Sequence, residues 1–141
     1  MKKKYYIDTC IWRDHYENRY GSNGRPLGDY ASKLLIKLIK EKHLMYFSDF
    51  SARELRKSYS EDEVNELLNV LFISGRIIKL DVFKEDVVEA KKLSVERNIS
   101  FGDCLHAILA RNSNSIILTQ NKRDFIRLLD IVSFKQPEDL L

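Results

Sequence analysis

Residues 5–10 read Tyr5-Tyr6-Ile7-Asp8-Thr9-Cys10, a short run of strand formers that stops at a carboxylate. Tyr and Ile suit the pleated backbone and Asp does not, so a strand is expected to end at Ile7. Asp8 then falls at the carboxyl edge of that strand. If the strand is central, burying a lone carboxylate there is costly unless a cation or several donors offset it. The competing reading makes Asp8 the N-cap of a helix beginning near Cys10.

Outward from this stretch, strands and helices alternate. Leu44-Met45-Tyr46-Phe47, Ile77 to Val82, Ile116-Ile117-Leu118 and Ile131 to Phe134 read as four further strands. Helical spacing marks Tyr30 to Lys42, through Ala31, Leu34, Leu35, Leu38 and Ile39. Further helices are expected over Ser51 to Tyr59, Glu61 to Ile73, Glu85 to Arg97 and Asp103 to Arg111, with a short turn from Phe125 to Leu129. In the second of these, Val64, Leu67, Leu68 and Leu71 share one face. Tyr20 to Asp29, with three glycines and a proline, is the clearest loop, and Gly75 suits a helix stop. This alternation implies an α/β fold with a mostly parallel sheet of about five strands, covered on both faces. Ligands in such sheets bind beyond the carboxyl ends of the strands, where strand order reverses.

A chain of 141 residues with 44% hydrophobic content can bury one sizeable core, so residues 1–141 are expected to form a single domain. The net charge of +3 does not by itself call for nucleic acid. Acids committed to a site would nevertheless leave the remaining surface more basic than that total. Cys10 and Cys104 form no C-x-x-C pair, which excludes a zinc ribbon or a thioredoxin-like motif, and both are expected as small buried thiols. The start MKKKYYIDTCIW lacks an apolar signal core, and no stretch approaches the ~20 apolar residues of a membrane span. A soluble, cytoplasmic protein with no membrane partner is the expectation.

Four acids fall where a strand stops or a helix starts: Asp8, Glu54 in SARELRK, Asp103 in FGDCLHAILA and Asp124 in TQNKRDF. Three have local explanations. Ser51 to Glu54 matches the S-x-x-E capping box. Asp103 follows Ser100 at similar spacing and would favour a helix dipole, and Asp124 follows a good cap, Asn121. Asp8 and the recurrence at several strand ends are left over. Carboxylates meeting along one sheet edge repel unless a cation lies between them, and hard divalent cations take oxygen ligands. Thr119 and Asn121 could add neutral oxygens or hold a water. Such sites align a water with a phosphodiester and stabilise the leaving oxygen.

On these residues the chain resembles PIN-domain proteins, and among them the VapC toxins of prokaryotic toxin–antitoxin pairs. The matching pieces are Tyr6-Ile7-Asp8-Thr9, Arg53-Glu54-Leu55, Asp103 with its apolar helix, Thr119 to Phe125, and the tail Phe134 to Leu141. The resemblance implies a three-layer α/β/α sandwich in which Asp8, Glu54, Asp103 and Asp124 form an acidic quartet. It also implies a Mg²⁺- or Mn²⁺-dependent ribonuclease acting on RNA, homodimeric and held inactive by a small antitoxin. Two departures stand out. The stretch Gly21 to Gly28 is long for its place, and Asn at 121 leaves the fourth ligand open between Asn121 and Asp124.

His106, one turn after Asp103, reads as a partly buried structural histidine or a phosphate contact. Trp12, Tyr16 and Tyr20 read as packing or base-stacking residues. Arg53, Arg56, Lys57, Lys122 and Arg123 flank the acids, as an RNA backbone or an ordinary solvated surface would require. No P-loop, G-x-G-x-x-G, G-x-S-x-G or H-E-x-x-H occurs. Two alternatives stay open: a phospho-receiver module with Asp49 as acceptor, Thr119 as switch hydroxyl and Lys135 as partner, and a catalytically inactive PIN-like RNA-binding protein.

Overall fold

In the computed structural model, which describes residues 2–141 apart from the side chains of Val70 and Leu71, the chain begins with β1 (Lys4–Ile7). The expected inward position of Leu71 therefore lies outside the described residues. The elements that follow are α1 (Thr9–Glu17), α2 (Leu27–Lys40), β2 (Leu44–Ser48), α3 (Asp49–Arg56), α4 (Glu61–Phe72) and β3 (Ile77–Leu80). The second half holds α5 (Lys84–Arg97), α6 (Phe101–Asn112), β4 (Ile116–Leu118), α7 (Lys122–Phe125) and β5 (Phe134–Lys135).

The sheet has the order β3-β2-β1-β4-β5, and every pairing is parallel. β1 is central, so its residues are covered on both faces, and Tyr5, Tyr6 and Ile7 are at most 3% exposed. Alternate residues feed two separate cores, as the period of a strand requires. Tyr5, Ile7, Met45, Phe47 and Leu118 pack with Trp12, Leu34, Leu55 and Val64 of α1 to α4. Tyr6, Tyr46 and Ile117 pack with Leu93, Leu105, Ile108 and Phe125 of α5 to α7. The result is three layers, α/β/α. Chain order runs from β1 outward to β3 on one side and from β4 to β5 on the other. The reversal therefore lies between β1 and β4, whose register pairs Ile7 with Leu118. A phospho-receiver has the order 2-1-3-4-5 instead, so the Asp49 alternative is not supported by this sheet. Asp49 forms an ion pair with Lys79 at 3.3 Å.

Several boundaries differ from expectation. α2 begins at Leu27 rather than Tyr30, so the connection from α1 covers residues 18–26, with a turn at Ser22–Gly24 inside it. Gly28 permits this, because a Cβ there would lie 2.4 Å from the Cα of Asn18 at the end of α1. α2 stops at Lys40, and Lys42 takes a left-handed φ of 60°. α3 starts at Asp49 because Ser48, not Ser51, is its cap. The fifth strand is Phe134–Lys135 rather than Ile131 to Phe134. Ile131 and Val132 instead turn back on the carbonyl of Leu128. No helix among the described residues is long and apolar enough to cross a membrane.

Candidate active site

Asp8 leaves β1 at the reversal point and sits at the start of α1. Its amide bonds the carbonyl of Leu118 at 3.0 Å, which holds it between the two strands. Its side chain makes no cap hydrogen bond, so the capping explanation fails for the carboxylate. Asp8 is only 5% exposed. Oδ2 accepts from Thr119 Oγ1 at 2.7 Å and from the Cys10 thiol at 3.4 Å. Thr119 in turn accepts from the Asn121 amide at 3.0 Å, so the residues after β4 are tied to the residue after β1.

Glu54 lies in the second turn of α3 rather than at its cap. Ser48 Oγ accepts from the Ser51 amide at 3.2 Å, while Ser51 Oγ is buried without a partner among the described residues. Freed from capping, Glu54 Oε1 accepts from Thr9 Oγ1 at 2.6 Å and lies 2.8 Å from His106 Nε2. Partial burial pushes the Glu54 carboxyl up. The His106 and Thr9 hydrogen bonds outweigh that and hold it below the ordinary carboxylate value.

His106 is the residue that sequence reasoning undervalued. It is 1% exposed, and its Nε2 also lies 3.5 Å from Asp8 Oδ1. Its Nδ1 meets Tyr6 Oη at 2.7 Å, and that hydroxyl meets Ser48 Oγ at 2.8 Å. A chain of polar contacts thus runs from the cap of α3 through β1 to α6 and back to Glu54 on α3. Burial opposes a charged imidazole, but the Tyr6 oxygen, Glu54 and Asp8 outweigh it and hold the His106 pKa well above its usual value. The available signal was its i+3 spacing from Asp103, which puts both on one helix face.

Asp103 stands in the first turn of α6, whose cap is Ser100 as expected, with Ser100 Oγ accepting from the Asp103 amide at 3.3 Å. Its Oδ2 accepts from Asn121 Nδ2 at 2.8 Å, and the same Nδ2 reaches Asp124 Oδ2 at 3.1 Å. Asn121 therefore sits between two carboxylates. It starts α7 without a side-chain cap bond. Burial, and next the charge of Asp8, raise the Asp103 carboxyl to about 6. The Asn121 hydrogen bond leads the contacts that lower Asp124.

The four acids thus form two pairs along one sheet edge, Asp8 with Glu54 through His106, and Asp103 with Asp124 through Asn121. Among the described residues, no three His, Cys, Asp or Glu side chains converge as a ready cage for an ion. Mg²⁺ needs no such cage, since it typically takes one or two carboxylates and completes its shell with water and phosphate oxygens. The donors suit such an ion: Asp8, Glu54, Asp103 and Asp124 bring carboxylate oxygens, with the Thr119 hydroxyl and the Asn121 amide beside them, to one edge of the sheet. Trp12 is fully buried in the core, the Tyr16 hydroxyl donates to Glu63, and Tyr20 is exposed.

An all-parallel α/β/α sandwich with acids at its reversal point defines the class of protein. The profile of the PIN domain family matches residues 5–130, and the chain belongs to that family. Solved structures share the fold. VapBC2 from Rickettsia felis, bound to a DNA fragment from its promoter, aligns with a TM-score of 0.66 at 19% identity, covering 94% of this chain and 98% of that one. DNA-bound VapBC from Salmonella typhimurium aligns at 0.63 and 18% identity, covering 97% and 99%. FitAcB from Neisseria gonorrhoeae aligns at 0.59 and 19% identity, covering 95% and 98%. No curated protein matches the sequence.

Proposed function

We propose that this PIN-domain chain is a metal-dependent endoribonuclease and the toxin of a toxin–antitoxin pair. The observation that carries the reading is Asp8, a buried carboxylate at the reversal point whose side chain is not spent on capping. The likeness to VapBC and FitAcB structures supports the toxin assignment. The same proposal takes residues 1–141 as a single domain and the protein as a cytoplasmic homodimer restrained by a small antitoxin.

Asp8 and Asp103 would hold Mg²⁺ or Mn²⁺, with Glu54 and Asp124 completing the site directly or through water, and Thr119 and Asn121 in support. When bound, the cation supplies Lewis acidity toward a phosphodiester and neutralises its developing charge. The chain's own groups do the rest. His106 and Thr9 hold Glu54 in one orientation. Thr119 orients Asp8, and Asn121 keeps Asp103 and Asp124 from repelling each other.

The test is Mn²⁺-dependent cleavage of structured RNAs by wild type and by Asp8→Asn. Wild-type cleavage that vanishes in a folded Asp8→Asn protein is expected. Undiminished cleavage by the variant refutes the site. RNA binding without cleavage by wild type would favour an inactive RNA-binding PIN protein. Co-purification with a small partner distinguishes a toxin from a free-standing nuclease.

A further inference from the structure

Beside the acids lies a cavity of about 210 Å³ between α3, α5 and α6. Its walls are Phe50, Phe101, Val82, Val87 and Leu105. That is the scale of one planar ring system, below the ~300–1,000 Å³ of sites for drug-sized ligands. Phe50 and Phe101 meet edge to face, with centroids 5.8 Å apart and an interplanar angle of 87°. Phe50 also lies against His106, at 5.2 Å.

The cavity adjoins the candidate active site at Gly102. The Cβ position of Gly102 is 3.4 Å from Glu54 Oε2 and 3.5 Å from the Phe50 ring. The rim carries Arg53 and Lys91, both exposed, and neither makes an ion pair or side-chain hydrogen bond among the described residues. By contrast, Arg97 and Arg111 are tied to Asp130 and Glu89. An apolar, aromatic recess with two unpaired cations at its mouth complements one ligand chemistry: an aromatic ring attached to a phosphate.

We propose that this cavity is a nucleobase subsite that takes one unpaired base of an RNA strand. The ring lies against Phe50 and Phe101, and Arg53 and Lys91 meet the flanking phosphates. This rests on the ribonuclease reading, and it would place the neighbouring phosphodiester toward Glu54. A base inside a duplex cannot enter, so single-stranded or looped RNA is favoured.

The probe is a short single-stranded oligoribonucleotide carrying one 2-aminopurine, whose fluorescence falls when its base stacks. Titration in EDTA, where no cleavage occurs, and again in Ca²⁺ reports base binding separately from catalysis. Saturable quenching by wild type is expected. It should require about tenfold more protein when both Arg53→Gln and Lys91→Gln are present, and be abolished by Val87→Met, which fills the cavity. The double variant changes only exposed side chains, and thermal melting checks that both variants fold. Absence of quenching by wild type, or equal quenching by all three proteins, overturns the subsite. So does a switch from dimer to monomer in Val87→Met with RNA binding unchanged, which would make the cavity a contact between copies. Mn²⁺-dependent cleavage without quenching removes the subsite and leaves the nuclease, whereas quenching without cleavage removes the nuclease and leaves a base-binding site.

Discussion

His106 Nε2 lies 2.8 Å from Glu54 Oε1, which joins α6 to α3 beneath the acidic edge. Removing the imidazole would leave a partly buried carboxylate and the Tyr6 hydroxyl short of partners. His106→Ala should therefore cost about 3 kcal/mol of stability in urea unfolding. The folded state binds the His106 proton more tightly than the ordinary value of 6.5 implies. The associated stabilisation is fully present below that unfolded value and is lost as pH rises through the higher folded one. The urea midpoint of wild type should thus fall relative to that of His106→Gln as pH is raised above neutrality. A constant difference between the two would contradict the contact.

Asp103 gives the cation site its own pH dependence. Its carboxyl is raised to about 6, by burial first and then by Asp8. A proton there competes with a metal ion. Mn²⁺ affinity measured by calorimetry should climb about tenfold per pH unit below that value and level off above it. Asp103→Asn should bind more weakly and with a flattened profile.

Gly28 is fixed by a backbone contact. A Cβ would meet Asn18 Cα at 2.4 Å and its carbonyl carbon at 2.7 Å, and backbone cannot swing aside as a side chain would. Gly28→Ala should force α1 and α2 apart and cost about 3 kcal/mol, read as a lower denaturation midpoint. Gly24 has open space at its Cβ position but a φ of 73°, so Gly24→Asn, which tolerates that backbone, should change little.

Asp14 is a buried acid on α1 that the proposed chemistry does not use. It is 3% exposed, and burial raises its carboxyl from 3.8 to about 6. The folded state therefore holds this proton more tightly than the unfolded chain. The stability it contributes is complete below about pH 4 and is lost as pH rises through about 6. Asp14→Asn should gain about 1 kcal/mol over wild type at neutral pH, with partial solvent screening reducing the full effect. Melting curves at both ends of that window should show the gain vanish in acid.

Much of the fold was legible because the code for it is local. Tyr5-Tyr6-Ile7, Leu44 to Phe47 and Ile116-Ile117-Leu118 are apolar runs of strand length, and the observed strands lie within a residue of them. The fifth strand lies later than its apolar run because Ile131 and Val132 turn back on Leu128, with Val132 buried and Ile131 half-buried, leaving Phe134–Lys135 to pair with the three-residue β4. Glu54 resembled a capping acid because Ser51 stands three residues before it. Ser48 took the cap, and no pattern of spacing distinguishes two serines that could each serve.

The sequence by itself determined the strand that ends at Asp8, the alternation that makes a parallel sheet, and the recurrence of acids at strand ends. These depend on the preferences of neighbouring residues. Only the tertiary structure decided that β1 is central, that order reverses beside it, and which groups meet there. His106 reaches Glu54 from 52 residues away and Thr119 reaches Asp8 from 111. Contacts at such separations depend on how packed helices and strands are arranged in space. For that reason Asp8 could be singled out from its own neighbourhood, whereas its partners became visible only once the sheet was assembled.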